Sequence, residues 1–261
     1  MSSEKPLVNK KMKIHDSFEY YLLKKVGKTI KKYGMIERGD RILIGVSGGK
    51  DSLSLLKILH DRRGFYPNTY EILALHIVSN LPCEGLAEPE VLEEYFIQQG
   101  FPYKIVHMHL EENERGFNPY WCSRNRRRVL FEMANRMGYN KIALGHHRHD
   151  VIETLLLNLF YHAELSSMLP VQTLFGGKIT IIRPLYNLPE YDSRKLARLY
   201  GFPSVHCRCP IQNETKREMF KRVIHEIEKV HPKASVNALR ALENIKDEYM
   251  PLSVVKENIV I

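Results

Sequence analysis

Apolar residues recur along this chain with two periods. At residues 41–46, 72–78, 103–108 and 141–144 they run almost without interruption, which predicts short strands buried on both faces. Residues 52–60, 89–99, 123–137 and 150–161 instead place apolar side chains three and four positions apart, which predicts helices. Strands and helices alternating in this way specify an α/β fold, a parallel sheet with helices on both faces. Residues 179–182 supply a fifth strand, and beyond Pro184 and Pro189 only helical pattern remains, over 190–200, 214–231 and 234–245. Ahead of the first strand, Phe18, Tyr21, Leu22, Val26, Ile30 and Tyr33 form an apolar stripe, with Lys24, Lys25, Lys28, Lys31 and Lys32 mostly elsewhere on the wheel. The pattern divides the chain into a basic helical segment (1–36), a sheet domain (37–188) and a helical C-terminal extension (189–261).

Composition narrows the class. With 261 residues, 44% of them hydrophobic and 26% charged, the chain can bury a sizeable core, which excludes disordered and collagen-like proteins. No run approaches the roughly 18 apolar residues of a membrane helix, and residues 1–13 are lysine-rich without a signal-type apolar stretch. A cytoplasmic address with no membrane partner is the expectation. Thirty-nine basic residues against 30 acidic ones leave a net charge of +9, and the first 35 residues hold nine of the lysines. Such a patch favours polyanions, or is a solvated tail. Four cysteines, Cys83, Cys122, Cys207 and Cys209, are too few and too scattered for a disulfide framework in a cytosolic chain. Metal binding or thiol chemistry is then the question.

The first strand runs into Ser47-Gly48-Gly49-Lys50-Asp51-Ser52, a small-residue turn opening a helix. Glycines let the main chain approach an anion, the helix dipole favours negative charge there, and Lys50 adds a cation. The Gly-x4-Gly-Lys-Ser/Thr loop does not fit, because Gly45 to Gly49 is one residue short and Asp51 follows the lysine. Ser-Gly-Gly-x-Asp-Ser does fit, and it resembles the signature of the PP-loop ATP pyrophosphatases at Ser47, Gly48, Gly49, Asp51 and Ser52. That resemblance implies a Rossmann-like PP-loop domain that grips the pyrophosphate of ATP and releases AMP.

Later segments resemble one branch of that family, the tRNA 2-thiocytidine synthetases. They are Pro89-x-Val91-Leu92-x-Glu94-Tyr95, Tyr103-Lys104-Ile105-Val106, Cys122-Ser123-Arg124-x-Arg126-Arg127, Lys141-Ile142-Ala143-Leu144-Gly145-His146-His147-Arg148 and Ile182-Arg183-Pro184-Leu185. The resemblance implies an enzyme that adenylates a base carbonyl of tRNA, the C2 carbonyl of cytidine 32 in the anticodon loop, and replaces its oxygen with sulfur. It further implies a 4Fe-4S cluster held by three cysteines, with ATP and magnesium as the other cofactors. The sulfur donor is then a cysteine desulfurase or inorganic sulfide, and a homodimer is admissible.

On that basis Ser47 to Ser52, Gly145, His146 and Asp150 are candidate nucleotide-binding residues, and Asp51 and Asp150 candidate magnesium ligands, since magnesium prefers oxygen. The relatives carry two acidic residues where this chain has His149 and Asp150. Clustered histidines also suit zinc, but no cysteine or second spaced pair accompanies them.

The cysteine pattern differs from the family's. Pro119 stands at the usual first ligand, and Cys207-Arg208-Cys209 replaces a Cys-x-x-Cys pair. Cys122 and Cys209 align with family ligands, and Cys207 can supply the third thiolate, since three cysteines hold three irons and leave the fourth open. Besides this cluster, a persulfide relay between Cys122 and Cys209, a zinc site and a site that has lost its cluster remain open. Cys83 reads as an incidental loop thiol. Asp51, Cys122 and Cys209 are the candidate catalytic residues.

Arg124, Arg126, Arg127 and Arg128 open the helix after Cys122, where the macrodipole opposes cations, so an external anion is expected: tRNA or ATP. Tyr120 and Trp121 either stack an unpaired base or pack under the loop. Two other functions remain: an adenylating ligase of the lysidine synthetase type without sulfur chemistry, and a non-enzymatic tRNA- or cluster-binding protein.

Overall fold

The computed structural model describes residues 17–64, 69–80, 89–110, 119–203 and 216–250. Six strands, β1 (Asp40–Val46), β2 (Tyr70–Ser79), β3 (Tyr103–Met108), β4 (Lys141–Ala143), β5 (Val171–Leu174) and β6 (Ile179–Ile182), form one sheet in the order β3-β2-β1-β4-β6-β5. All neighbours are parallel except β5 and β6, which are antiparallel. The helices are α1 (Ser17–Lys32), α2 (Lys50–Arg63), α3 (Pro89–Gln99), α4 (Pro119–Met137), α5 (Arg148–Leu157), α6 (Glu190–Leu199), α7 (Lys216–Val230) and α8 (Ala234–Ala241).

The two-residue period of the strands sorts the core into two layers. On β1, Ile42, Ile44 and Val46 pack with Leu22 and Val26 of α1 and Leu55 and Leu59 of α2. Leu43, between them, packs on the other face with Leu130 and Ala134 of α4 and Ile142 of β4. Both faces of the central strands are thus covered, which is why their sequences are apolar throughout. Helix α6 adds Leu196 to the first layer, and Val151 of α5 meets Leu239 of α8 in a third cluster.

Several boundaries differ from the sequence pattern. An antiparallel edge strand, β5, precedes the expected strand over 179–182; only four residues long and partly exposed, it has no periodic signal and depends on pairing with β6. Helix α4 begins at Pro119, the first-turn position where proline's missing N–H costs nothing, so Cys122 lies within the helix instead of ahead of it. Helix α5 stops at Leu157 and continues as a π-helical turn, Asn158–His162, closed by Ala163 at φ 53°. On α1, Leu23 is buried while Tyr21 is exposed, its hydroxyl accepting from Lys25 Nζ at 2.8 Å.

At the end where β1 and β4 begin, a polar clasp joins the two strands. Lys141 Nζ is buried between Asp40 Oδ2 at 2.8 Å and the Met35 carbonyl at 2.9 Å. The side-chain amide of Asn140 donates to Asp40 Oδ1 at 2.8 Å, and its carbonyl accepts from the Arg41 N–H at 2.8 Å. Each buried polar atom here is matched, as burial demands.

Candidate nucleotide site at the sheet switch point

Strand order reverses between β1 and β4, because β1 leads outward to β2 and β4 leads the other way to β6. At such a point the turns leaving the two strands diverge and leave a crevice beyond their carboxyl ends. The candidate nucleotide residues lie on these two turns.

The first turn is tied by its serines. Gly48 takes φ 87°, a conformation open to glycine, and Gly49 caps α2 with extended backbone and no side-chain hydrogen bond. Ser52 Oγ donates to the Gly49 carbonyl at 2.8 Å and accepts from the Ser47 N–H at 3.2 Å, while the Gly49 N–H donates to Ser47 Oγ at 3.3 Å. The Leu53 N–H makes the bond to the Gly49 carbonyl that starts the helix, so the amides of Lys50, Asp51 and Ser52 point out along its axis. Behind the turn, buried His76 donates from Nδ1 to the Val46 carbonyl at 2.8 Å, satisfying the strand's last acceptor. Sequence reasoning passed over His76, whose only signal is a polar residue inside an apolar strand.

The second turn presses against the first. A methyl group at Gly145 would lie 2.9 Å from the Asp51 carbonyl and from the Ser52 nitrogen, so only glycine permits this approach. His147 then caps α5: its Nδ1 accepts from the Asp150 N–H at 3.3 Å, and Asp150 Oδ2 accepts from the His147 N–H at 2.8 Å. Asp150 thus spends one oxygen on a reciprocal cap, a use legible in the His147-x-x-Asp150 spacing. With Nδ1 an acceptor, Nε2 carries the proton, and it lies 3.8 Å from Asp51 Oδ1.

That Asp51 oxygen is sealed from solvent and has no hydrogen-bond partner, whereas Asp51 Oδ2 accepts from Lys50 Nζ at 2.8 Å. An unfilled carboxylate oxygen beside the phosphate loop suits magnesium, which uses one or two carboxylates together with phosphate oxygens. Among the described residues no group of three or more His, Cys, Asp or Glu side chains forms a metal cage.

Between the turns and α4 lies a cleft of about 250 Å³ lined by Ser47, Leu75, Ile77, Ser123, Arg126, Arg127 and His146 among others. Arg126 Nε is buried there without a partner. Arg183, at the end of β6, donates from Nε to His146 Nδ1 at 3.3 Å. Burial pushes the His146 imidazole down to about 4; Asp150 opposes this, and the charges of Arg183, Arg217 and Arg127 add to it. His146 is therefore neutral at pH 7, an uncharged wall in a cationic cleft.

The four arginines of α4 separate. Arg126 and Arg127 line the cleft, while Arg128 pairs loosely with Glu132 at 3.6 Å on the exposed face and exposed Arg124 is not part of the lining. Cys122 is a free, partly buried thiol packed at the edge of the α4 core layer, next in sequence to the cleft residue Ser123. Trp121 packs beside it, and Tyr120 is 75% exposed. Cys83, Cys207 and Cys209 lie outside the described residues.

Sequence reasoning also passed over Glu190, which sits at the start of α6 with Oε1 3.0 Å from Lys50 Nζ. Glu153, the acid one helical turn after Asp150 in the sequence, is buried on α5; burial, then the charge of Asp150, raises its carboxyl to about 7.

Comparison with known proteins covers nearly the whole chain. A family model described as a PP-loop domain matches residues 20–225. The tRNA-cytidine(32) 2-sulfurtransferase of Geotalea uraniireducens is 38% identical over 91% of this chain and 96% of its own length. That of Geobacter sulfurreducens is 37% identical over 92% and 95%. Among solved structures, the U34-tRNA thiolase of Methanococcus maripaludis with its 4Fe-4S cluster superposes with a TM-score of 0.72 over 94% of this chain and 89% of its own, at 22% identity. At that identity the likeness speaks for the fold.

Proposed function

Since the chain belongs to the PP-loop domain family and, within it, to the tRNA-cytidine(32) 2-sulfurtransferases, we propose that it thiolates C2 of cytidine 32 in the anticodon loop of tRNA at the expense of ATP. The base oxygen attacks the α-phosphorus, the bond to pyrophosphate breaks, and the oxygen becomes part of an adenylate. Sulfur then bonds to C2, and AMP departs carrying the former base oxygen. The observation that carries this reading is the open N-terminus of α2, whose outward amides and Lys50 stand beside a cationic cleft.

Each part has a role. The amides of Ser47 to Ser52 and Lys50 hold pyrophosphate, and Asp51 Oδ1, with the free oxygen of Asp150, positions magnesium. Arg126 and Arg127 face the negative charge that develops on the α-phosphate, and fixed charge of this kind is the main source of catalysis in phosphoryl transfer. Neutral His146 and Gly145 close the cleft behind the nucleotide. Arg124 and Arg128, on the outer side of α4, are placed to meet the tRNA backbone.

Cys122, Cys207 and Cys209 form a thiolate set of the type that holds an iron-sulfur cluster. Cys122 fits that use, being unpaired and beside the cleft wall. A 4Fe-4S cluster bound there would present sulfur through an iron left without a protein ligand. The sulfur would come from a cysteine desulfurase or inorganic sulfide. Among the described residues no helix is long and apolar enough to cross a membrane. A tRNA substrate supports action in the cytoplasm.

The test uses unmodified tRNA under anaerobic conditions, with pyrophosphate release and thionucleosides measured for the wild type and the Cys122→Ser, Cys207→Ser and Cys209→Ser variants. The expected result is 2-thiocytidine formation that every serine variant abolishes while tRNA-dependent pyrophosphate release persists. A wild type that releases pyrophosphate but forms no thionucleoside, at a rate the three serine substitutions leave unchanged, would establish the ligase reading instead.

A further inference from the structure

Three cations meet on one buried carboxylate oxygen at the mouth of the phosphate loop. Glu190 Oε1 lies 3.0 Å from Lys50 Nζ, 3.0 Å from Lys221 Nζ and 3.2 Å from Arg194 Nη2. The Glu190 side chain is 11% exposed, and Lys50 and Lys221 are 26% and 49% exposed, so the carboxylate forms the floor and the ammonium groups the rim. Burial works to raise the Glu190 carboxyl, but the Lys50 and Lys221 charges overcome it and hold the group well below the usual carboxylate range.

The backbone fixes this carboxylate from three sides. Glu190 opens α6, where the macrodipole favours an acid. Its N–H donates to His149 Nδ1 at 3.2 Å, and His149 Nε2 in turn donates to Glu228 of α7 at 3.2 Å. Helices α5, α6 and α7 are thereby tied at one point, which sets Lys221 of α7 beside the lysine of the loop. Asp51 also answers Lys50, at 2.8 Å, so two carboxylates face three cations and one positive charge remains in excess next to the outward amides of α2. Lys216, Arg217 and Arg222, set against Glu218, make the first half of α7 basic, where the macrodipole opposes cations.

We propose that Lys221 is a second cation of the triphosphate site, and that Glu190 is the positioning carboxylate that aims Lys221 and Lys50 together at the polyphosphate. The proposal rests on the ATP-binding reading above. A pyrophosphate moiety carries more charge than Lys50 alone can meet. Lys221, already held on the same oxygen, reaches it without reordering a free side chain, and that preorganisation lowers the entropic cost of binding.

Calorimetric titration of the full-length protein with ATP, pyrophosphate and AMP, each with magnesium, tests the idea. Lys221→Met is expected to weaken ATP and pyrophosphate by about tenfold and AMP by less than about twofold. Lys221→Arg should restore most of the loss. Glu190→Gln, which keeps the shape but releases Lys221 and leaves Lys50 to Asp51 alone, should weaken ATP and pyrophosphate in the same selective way. Because Lys221 is half exposed, its methionine variant should keep the wild-type melting temperature. Unchanged ATP and pyrophosphate affinity in Lys221→Met, or an equal loss for AMP, would overturn the proposal. A wild type that binds neither ATP nor pyrophosphate would overturn the ATP reading itself, so the two failures are distinct.

Discussion

The turns that leave β1 and β4 share one plan, strand to turn to helix, yet end oppositely. The turn into α2 uses its serines to brace the loop from within and leaves the helix N-terminus without a side-chain cap. The turn into α5 spends His147 and Asp150 on a reciprocal cap that consumes its own first amides. Two helix N-termini at one crevice are therefore not two anion sites. The difference lies in where the capping side chains point, and Gly145 locks the sealed turn against the open one.

Substitutions at three positions bear on that contrast. Gly145→Ala should have the largest effect, since its methyl would meet backbone atoms at 2.9 Å and neither chain can yield cheaply. A loss of about 1–3 kcal/mol in urea unfolding is expected. Because the displaced atoms belong to Asp51 and Ser52, ATP affinity should fall with it. Wild-type ATP binding in this variant would mean the two turns work independently.

Asp150 comes next. Removing the cap by Asp150→Ala should cost about 1 kcal/mol, whereas Asp150→Asn keeps an acceptor for the His147 N–H and should cost less. Pyrophosphate release measured across magnesium concentrations separates the residue's two uses. If Asp150 also serves magnesium, the asparagine variant will keep its melting temperature and need more metal. If metal demand does not change, the second turn is purely structural.

The third effect is a pH dependence, absent at low pH and growing only as pH rises. Glu153 is raised from 4.5 to about 7, by burial first and by the charge of Asp150 second. Between these values the folded state keeps a proton that the unfolded chain has lost, so stability falls as pH rises through that window. Glu153→Gln has no such slope. Its melting temperature relative to wild type should climb steadily between about pH 4.5 and 7. A difference that stays constant with pH would show that Glu153 is ionised throughout.

The open turn was legible because everything it needs is local: a buried strand, three small residues and a helix start, contiguous from Ile42 to Ser52. The central strands were legible for the same reason, since burial on both faces writes itself into each strand alone. Strand β5 was not, because Val171 to Leu174 are extended only by virtue of β6. Glu190 was invisible for a related reason. Its meaning depends on Lys50 and Lys221, which the folded chain brings from other elements. The arginines of α4 show a middle case. Their number was plain in the sequence, but which of them face the cleft depends on where the helix begins, and Pro119 sets that three residues before Cys122.

The clasp of Asp40, Asn140 and Lys141 lies at the far end of the strands that carry both turns. Strands advance about 3.3 Å per residue, so a slip of one position between β1 and β4 would carry Gly145 past Asp51 by more than the gap between them and turn every side chain of the strand to the wrong layer. The clasp works like the indexing pin of a machine tool: it touches no reactant, yet it sets the height at which the two turns meet. Tolerance at the crevice is decided at the opposite end of the sheet.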